Sequence, residues 1–205
     1  MGTIEKLAEI FKSFPGIGPR QAKRFVYFLL TRNKSYIKEF TTLIEELQKE
    51  IQICPECFQY FTKSKSSSPL CEICNSKNRD EKVLMIVARD IDLENIEKSH
   101  SFDGKYFVLG GTVPILDKNP EQRIHLKELM TTIDKKAQKD LREIILGFSI
   151  NPESEYTADF VIRTLNPLIT KYNLKISHLG RGLSTGTELE YSDADTIKNA
   201  LKNRS

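Results

Sequence analysis

Apolar residues recur at helical spacing through the first fifty residues of the chain. Within residues 3–13, 19–32 and 35–49 they lie three and four positions apart, with charged residues between them. This period predicts amphipathic α-helices, each with one face for a core and one for solvent. The pattern therefore predicts a small helical bundle at the start of the chain.

The hydrophobic pattern changes after residue 80. Continuous apolar runs of strand length now alternate with segments of helical period, and such runs are typical of strands buried on both faces of a parallel sheet. The alternation predicts an α/β domain. The segment 123–133 is compatible with either a helix or a strand. The predicted strands are residues 82–88, 106–109, 143–148 and 175–179, and the predicted helices are residues 90–98, 154–172 and 193–203.

All four cysteines lie in one short stretch between the helical bundle and the first strand. They read Cys54-Pro-Glu-Cys57 and, after thirteen further residues, Cys71-Glu-Ile-Cys74, which is the spacing of a tetrahedral zinc site with four thiolate ligands. Four protein ligands leave no position for water, so the pattern predicts one structural Zn²⁺ rather than a catalytic ion. The alternatives are two disulfides or four unpaired thiols.

The sequence also indicates a compartment in which the cysteines would stay reduced. The sequence contains no apolar run of 18 residues, and its first residues predict an amphipathic helix rather than a signal peptide. We therefore expect a cytoplasmic protein without membrane association. A reducing cytoplasm keeps cysteines available to bind metal.

Positive charge is concentrated at the N-terminal end. The net charge of the 205-residue chain is only +3. Residues 1–34, however, carry seven Lys and Arg against Glu5 and Glu9, which gives +5 there and leaves −2 for the remainder. A polyanion would therefore be met by the N-terminal part of the chain.

A glycine-rich turn separates the first two predicted helices. Residues 14–20 read Phe-Pro-Gly-Ile-Gly-Pro-Arg, with glycines where a tight turn needs positive φ or close backbone approach. This is a helix-hairpin-helix pattern, in which backbone N–H groups bind a DNA phosphate and nearby cations neutralise others without reading sequence. The alternative is an ordinary turn with a solvated basic face. The candidate DNA-binding residues are Gly16, Ile17, Gly18, Arg20, Lys23 and Arg24.

Two pairs of acidic residues follow predicted strands. Asp90 and Asp92 come after the first strand, and Glu153 and Glu155 come after the third. Because functional residues in such sheets lie at the carboxyl ends of strands, these carboxylates could hold Mg²⁺. We favour the alternative that they cap helix N-termini and complement the helix dipole.

Taken in order along the whole chain, these features resemble the bacterial RecR recombination-mediator family. The resemblance implies a helix-hairpin-helix region at 1–52, a four-cysteine zinc finger at 53–78, a Toprim domain at 79–173 and a C-terminal segment at 174–205. That last segment, a strand, a loop and a helix, would take part in oligomer assembly. The matching stretches are residues 14–20, the four cysteines with residues 79–80, and residues 109–111, 153–158 and 186–193.

The resemblance also implies a function in DNA repair without catalysis. Members of the family bind single- and double-stranded DNA and act with RecO, and in some organisms RecF, to help load RecA onto single strands coated by SSB. They assemble as dimers or ring-like tetramers. Carried over to this chain, Arg20 and Arg24 match the DNA-contacting residues, and Glu153 and Glu155 match a segment implicated in contacting RecO.

Two departures from the family pattern occur. The first strand of the predicted sheet ends in Ile86-Val87-Ala88, where the family usually has Val-Val-Glu. Toprim enzymes use a glutamate there for acid–base chemistry, and an alanine side chain cannot transfer a proton, so we expect no catalysis. Residues 149–152 read Ser-Ile-Asn-Pro, where the family more often shows Thr-Asn-Pro-Thr.

Two other hypotheses stay open at this point. The first is a metal-dependent phosphoryl-transfer enzyme that acts on nucleic acid through the four carboxylates named above. The second is a zinc-binding protein whose helical region contacts only protein. Turnover of a nucleic-acid substrate would favour the first, and failure to bind any DNA at low salt would favour the second.

Overall fold

The computed structural model of the chain describes residues 1–63, 68–115, 119–180, 183, 189–192 and 194–202. The chain divides into two compact units, Met1–Ile51 and Gln52–Ser205. Within the described ranges, none of the helices has the length and apolar character needed to cross a membrane. The finer division of the second unit into zinc finger, Toprim domain and C-terminal segment stays a prediction.

The first unit consists of three helices, as the hydrophobic period predicts. They are α1, Thr3–Lys12; α2, Pro19–Leu30; and α3, Lys34–Glu50. Helices α1 and α2 pack together through the buried residues Ala8, Phe11, Ala22 and Val26. The ring of Phe11 also meets Phe25 edge-on, with ring centroids 5.6 Å apart. The glycine-rich turn is therefore anchored on both sides by a small apolar core.

Helix α3 differs from the other two because none of its side chains is buried. It begins at a conventional cap, where the Asn33 side chain accepts a hydrogen bond from the backbone N–H of Tyr36 at 2.8 Å. Its apolar side is nevertheless open, since Tyr36, Leu43, Ile44 and Leu47 are each 40–61% exposed. A contiguous exposed apolar stripe of this kind is typical of an interaction surface.

A two-stranded hairpin leads into the second unit, and an α/β sheet follows it. The hairpin and the short helix after it are β1, Ile51–Ile53; β2, Tyr60–Thr62; and α4, Glu72–Asn75. The strands of the sheet are β3, Asp80–Val87; β4, Gly104–Val108; β5, Glu143–Gly147; and β6, Lys175–His178. The helices around it are α5, Asp90–Lys98; α6, Leu126–Ala137; and α7, Pro152–Tyr172.

The four strands of the sheet run parallel in the order β4-β3-β5-β6. Strand β3 is central, and its Met85 lies in register with Tyr106 on one side and Ile145 on the other. One face of the sheet is covered by α6 and α7, and the other packs Met85 and Val87 against Leu93 of α5. The predicted mixed α/β fold, with N-terminal helices and a parallel sheet, is confirmed.

The segment with two possible assignments is helical from Leu126 onward. In α6 the buried residues are Leu126, Leu129, Ile133 and Ala137, which lie three or four positions apart. A strand would need its buried residues at every second position. The spacing of these buried residues therefore identifies the segment as a helix.

The C-terminal part of the second unit is described in pieces. After β6 come a short 3₁₀ helix, Leu189–Tyr191, and a final helix α8, Ala194–Lys202. Helix α8 agrees with the predicted C-terminal helix. The predicted loop of this segment lies largely outside the described residues, as does half of the stretch 186–193 that carries the resemblance.

Candidate metal centre and nucleic-acid interface

The four cysteines converge on one point in the second unit. Their Sγ atoms all lie within 4.8 Å of one another, and the sulfurs of Cys57 and Cys71 are 3.5 Å apart. A disulfide needs a sulfur–sulfur distance of about 2.05 Å, and all four cysteines are free. Sulfurs bound tetrahedrally to one Zn²⁺ lie about 3.8 Å apart, given a Zn–S bond of about 2.3 Å. The observed spacing therefore fits a four-thiolate metal site and excludes the disulfide alternative.

Tight backbone turns aim the two cysteine pairs at each other. In the first pair, Phe58 adopts a positive φ of 63° and its N–H donates to the carbonyl of Cys54 at 2.9 Å. In the second pair, Cys71 begins helix α4 and its sulfur accepts a hydrogen bond from the N–H of Cys74 at 3.4 Å. An N–H group directed at a sulfur favours the thiolate form, which is the form that binds metal.

Hydrogen bonds between the sulfurs shift the thiol pKa values of the cluster in opposite directions. The pKa of Cys54 is lowered because the neighbouring thiol of Cys57 hydrogen-bonds to it, and the same hydrogen bond raises the pKa of Cys57. Burial of both sulfurs adds a cost for charge. The bare cluster therefore favours unequal protonation, whereas a bound divalent cation allows all four sulfurs to be thiolates.

Within the part of the chain that the structure describes, these cysteines are the one group of three or more metal-ligating side chains that converge. The predicted acidic candidates do not join such a group. Asp90 instead accepts a hydrogen bond from the backbone N–H of Tyr60 in the hairpin at 2.8 Å. Asp92 accepts one from the N–H of Arg89 at 3.1 Å and so caps helix α5. Asp92 thus follows the favoured capping interpretation, and Asp90 joins the hairpin to the start of helix α5.

The predicted partner-binding residues lie in the first turn of α7. Asn151 begins this helix by accepting a hydrogen bond from the N–H of Ser154 at 2.9 Å. The Glu153 carboxylate accepts a hydrogen bond from the hydroxyl of Thr112. Glu155 is exposed and lines a cavity of about 580 Å³ at the carboxyl ends of β5 and β6. Both glutamates therefore lie where a helix N-terminus favours negative charge.

Ala88 directly follows the central strand β3, at the position where a catalytic glutamate would be expected. Its side chain is buried, and its carbonyl accepts a hydrogen bond from the N–H of Gly110 at 3.1 Å. The residue contributes only a methyl group to this edge of the sheet. No proton donor or acceptor is supplied by its side chain.

The glycine-rich turn of the first unit exposes the N-terminus of α2. Gly16 has a positive φ of 75°, and Gly18 begins the helix without a side chain that could cap it. Among the described residues, the backbone N–H groups of Gly18 and Arg20 have no hydrogen-bond acceptor. The N–H of Ile17, by contrast, donates to the carbonyl of Phe14 at 3.1 Å. The turn thus offers an open helix N-terminus of the kind that binds anions, while Ile17 serves as its apolar anchor.

Three exposed cations lie on one side of α2, close to its N-terminus. Arg20, Lys23 and Arg24 lie three and four positions apart on α2, so they share one side of the helix. Arg24 makes one long hydrogen bond to Gln21 at 3.4 Å. No carboxylate pairs with these three side chains in the described part of the chain. Their charge therefore remains available to an anionic ligand.

Lys105 is the residue near the metal site that sequence reasoning missed. It is buried at the start of β4 and bonds to the backbone of the second cysteine pair. The one available signal was a lysine directly before the apolar run 106–109. That signal does not identify the partners, which lie about thirty positions earlier in the chain.

Comparison with known proteins gives the same assignment along the whole chain. The family model "RecR, helix-hairpin-helix" matches residues 4–48, and "RecR, C-terminal" matches residues 182–205. The chain is 34% identical over 204 residues to Recombination protein RecR of Legionella pneumophila (strain Philadelphia 1), covering 100% of this chain and 96% of the relative. It is 33% identical over 202 residues to that of Prochlorococcus marinus (strain MED4), with 98% and 94% covered. With motifs, fold and full-length relatives in agreement, the chain belongs to the RecR family.

Proposed function

We propose that this protein is a non-catalytic DNA-binding mediator of recombinational repair. The observation that carries the proposal is the open amide end of α2 beside the cations Arg20, Lys23 and Arg24. The relatives named above carry the name recombination protein, and DNA is the substrate of recombination. Binding through phosphates would make the protein indifferent to base sequence.

The mechanism is electrostatic at the glycine-rich turn. A phosphate would accept hydrogen bonds from the N–H groups of Gly18 and Arg20, with Gly16 giving the turn its shape. The side chains of Arg20, Lys23 and Arg24 would neutralise that phosphate and its neighbours and release counterions. Both single- and double-stranded DNA present such phosphates, so both are expected ligands.

The metal that fits the cysteine cluster best is a single structural Zn²⁺. Cys54, Cys57, Cys71 and Cys74 supply four soft thiolate ligands, which suit Zn²⁺ in tetrahedral geometry. Zn²⁺ bound there would stabilise the fold without taking part in chemistry, because no ligand position is left for water. Elemental analysis should find about one zinc per chain. Free thiols also accord with a reducing, cytoplasmic location.

Two features support a protein without catalytic activity. Ala88 replaces the proton-transferring group expected at the end of the central strand, and Asp90 and Asp92 are engaged in structural hydrogen bonds. Magnesium-dependent cleavage or polymerisation of nucleic acid by the purified protein would contradict this part of the proposal. Loss of such turnover on Glu153→Ala would locate it in the sheet.

The protein would work with partners on DNA. We infer that it acts with RecO, and in some settings RecF, to help load RecA onto single strands coated by SSB. Glu155, which lines the cavity of about 580 Å³, and Glu153 in the same helical turn are the proposed contacts for RecO. The exposed apolar stripe of α3 supports a homo-oligomer, either a dimer or a ring-like tetramer. Several subunits would multiply weak phosphate contacts.

Removal of two cations tests the DNA-binding proposal. Arg20→Ala with Arg24→Ala should weaken binding of every DNA sequence about equally, and the slope of log affinity against log salt should fall by about two. Fluorescence anisotropy over a salt series measures both quantities. Lys127→Ala with Lys135→Ala is the control, because it removes the same charge from exposed positions on α6. Unchanged affinity in the first variant, or equal loss in both, would contradict the proposal.

A further inference from the structure

Lys105 is a buried lysine at the start of β4, with only 2% of its surface exposed. Its Nζ donates to the backbone carbonyls of Ile73, Cys74 and Ser76 at 3.0, 3.1 and 2.9 Å. A lysine ammonium has three donors. All three are therefore matched by carbonyls of the second cysteine pair and the residues next to it.

These carbonyls are at the end of a helix, where they need an outside partner. Helix α4 is a single turn, Glu72–Asn75, and the last carbonyls of a helix have no N–H donor within the helix. They also carry partial negative charge, which a cation stabilises. Lys105 supplies both the hydrogen bonds and the charge, so it acts as a C-terminal cap for the segment that carries Cys71 and Cys74.

A second set of charges connects Lys105 to the first cysteine pair. The Glu81 carboxylate lies 3.2 Å from the Nζ of Lys105 and 3.4 Å from the Nζ of Lys136 on α6. Lys136 in turn lies 4.0 Å from Glu56, which stands between Cys54 and Cys57. The side chain of Lys136 is itself mostly buried. Four alternating charges, Lys105, Glu81, Lys136 and Glu56, therefore connect the second cysteine pair to the first.

Strand β4 also holds the first cysteine pair directly. The backbone N–H of Val108 donates to the carbonyl of Cys57 at 2.7 Å. The rings of Phe107 and Phe58 pack with their centroids 5.2 Å apart. One short strand thus fixes both cysteine pairs, the first through Val108 and Phe107 and the second through Lys105.

We propose that Lys105 is a positioning residue for the metal centre, which holds the second cysteine pair on β4 at the distance a single ion requires. The inference rests on the proposed metal site and is independent of DNA binding. Without Lys105, three carbonyls lose their donors and the short α4 segment is free to turn away from the sheet. Opening of this segment would carry two sulfurs away together, so metal loss would become faster.

The rate of metal release from the zinc-loaded full chain tests this inference. In excess chelator, Lys105→Met should release zinc at least ten times faster than the unaltered protein, since it keeps the apolar stem and removes the donors. Lys105→Arg keeps charge and donors and should restore slow release in part. Lys175→Met is the matched control. Lys175 lies on β6, at the opposite edge of the sheet, and its Nζ is 3.0 Å from the carboxylate of Glu143. Its replacement should leave the rate of zinc release unchanged.

Release from Lys105→Met within twofold of the unaltered rate would overturn the inference, as would equal acceleration in Lys175→Met. If the Met variant does not fold, Lys105→Gln takes its place in the same assay, because its amide is polar but lacks the charge and the reach of the ammonium. Release from Lys105→Gln within twofold of the unaltered rate would likewise overturn the inference. An unaltered chain that retains no zinc refutes the metal site itself, which elemental analysis distinguishes beforehand.

Discussion

The side chains of Arg79 and Glu97 join helix α5 to the strands beside it. Arg79 donates to Glu97, one of these hydrogen bonds being 2.9 Å long, and to the carbonyl of Phe102 at 3.3 Å. The two charged side chains are 19% and 25% exposed. Burial by itself would raise the pKa of Glu97, but the hydrogen bonds and the charge of Arg79 outweigh it and lower this pKa.

A carboxyl group with a lowered pKa stabilises the fold only when it is ionised. The contribution of Glu97 is present above its unfolded pKa of about 4.3 and is lost as the pH falls through its folded pKa. Glu97→Gln should therefore lower the free energy of unfolding by about 1–3 kcal/mol at neutral pH. The difference from the unaltered protein should shrink below about pH 4.

Urea denaturation at a series of pH values measures this effect. Glu94→Gln is the control on the same helix, because Glu94 makes an exposed pair with Lys98 at 3.7 Å that contributes little to stability. A loss of stability that is equal in the two variants, or independent of pH in Glu97→Gln, would show that the partly buried pair has no special contribution.

The turn between α1 and α2 depends on one glycine more than on the other. Gly16 has a φ of 75°, whereas Gly18 has a φ of −83°, and neither would bring an added Cβ within 4 Å of another atom. Gly16→Ala should therefore destabilise the turn by about 1 kcal/mol through backbone strain alone, and Gly18→Ala should be tolerated. Hydrogen exchange of α1 and α2 amides in the full chain measures this difference.

The two glycine variants also separate turn shape from phosphate contact. Gly16→Ala should weaken DNA binding and also lower the hydrogen-exchange protection of α1 and α2, because it alters the path of the turn. Gly18→Ala should leave protection unchanged, and any loss of DNA affinity would then reflect the added methyl group at the helix N-terminus. Equal protection in both variants would contradict the role given to the positive φ.

The elements themselves could largely be predicted from hydrophobic spacing. Helices α1 to α3 and the four sheet strands follow their periods because a local pattern decides which face is buried. The hydrophobic pattern of residues 123–133 is ambiguous because this segment covers only the first two turns of α6, and the structure shows its buried face to be helical. The four cysteines were predictable as a site because their spacing alone specifies the ligand geometry.

Contacts between distant residues could not be predicted in the same way. The sequence presents Asp90 as a possible magnesium ligand or helix cap, but in the structure it accepts a hydrogen bond from Tyr60, thirty positions earlier. Lys105 reaches the carbonyl of Ile73, thirty-two positions earlier. Such partners depend on how the hairpin lies on β4, and no local period carries that information. The acceptor of the Ile17 amide, Phe14, likewise became evident only from the turn geometry.

The exposed apolar stripe of α3 is the proposed contact surface between copies of the chain. Leu43 and Leu47 are 56% and 61% exposed and lie on one side of the helix with Ile44. Leu43→Glu with Leu47→Glu should lower the solution mass toward that of a single chain, because burying two carboxylates against a second copy is unfavourable. Sedimentation or light scattering at matched concentration measures the mass.

The control for this prediction places the same charges on the polar side of the helix. Ser35→Glu with Thr42→Glu adds two carboxylates to exposed positions of α3, away from the apolar stripe. This variant should keep the mass of the unaltered protein. Dissociation in both variants would indicate a general effect of charge, and dissociation in neither would place the oligomer contact elsewhere.

The hydrogen bond from Val108 to Cys57 has a practical consequence for handling this protein. Strand β4 is at the margin of the sheet, and the cysteine-bearing hairpin occupies part of the hydrogen-bonding side that another chain could otherwise use. Stripping the ion with a chelating buffer would loosen that cover before the helices melt. Preparations short of zinc should then become turbid at temperatures where circular dichroism still reports intact secondary structure.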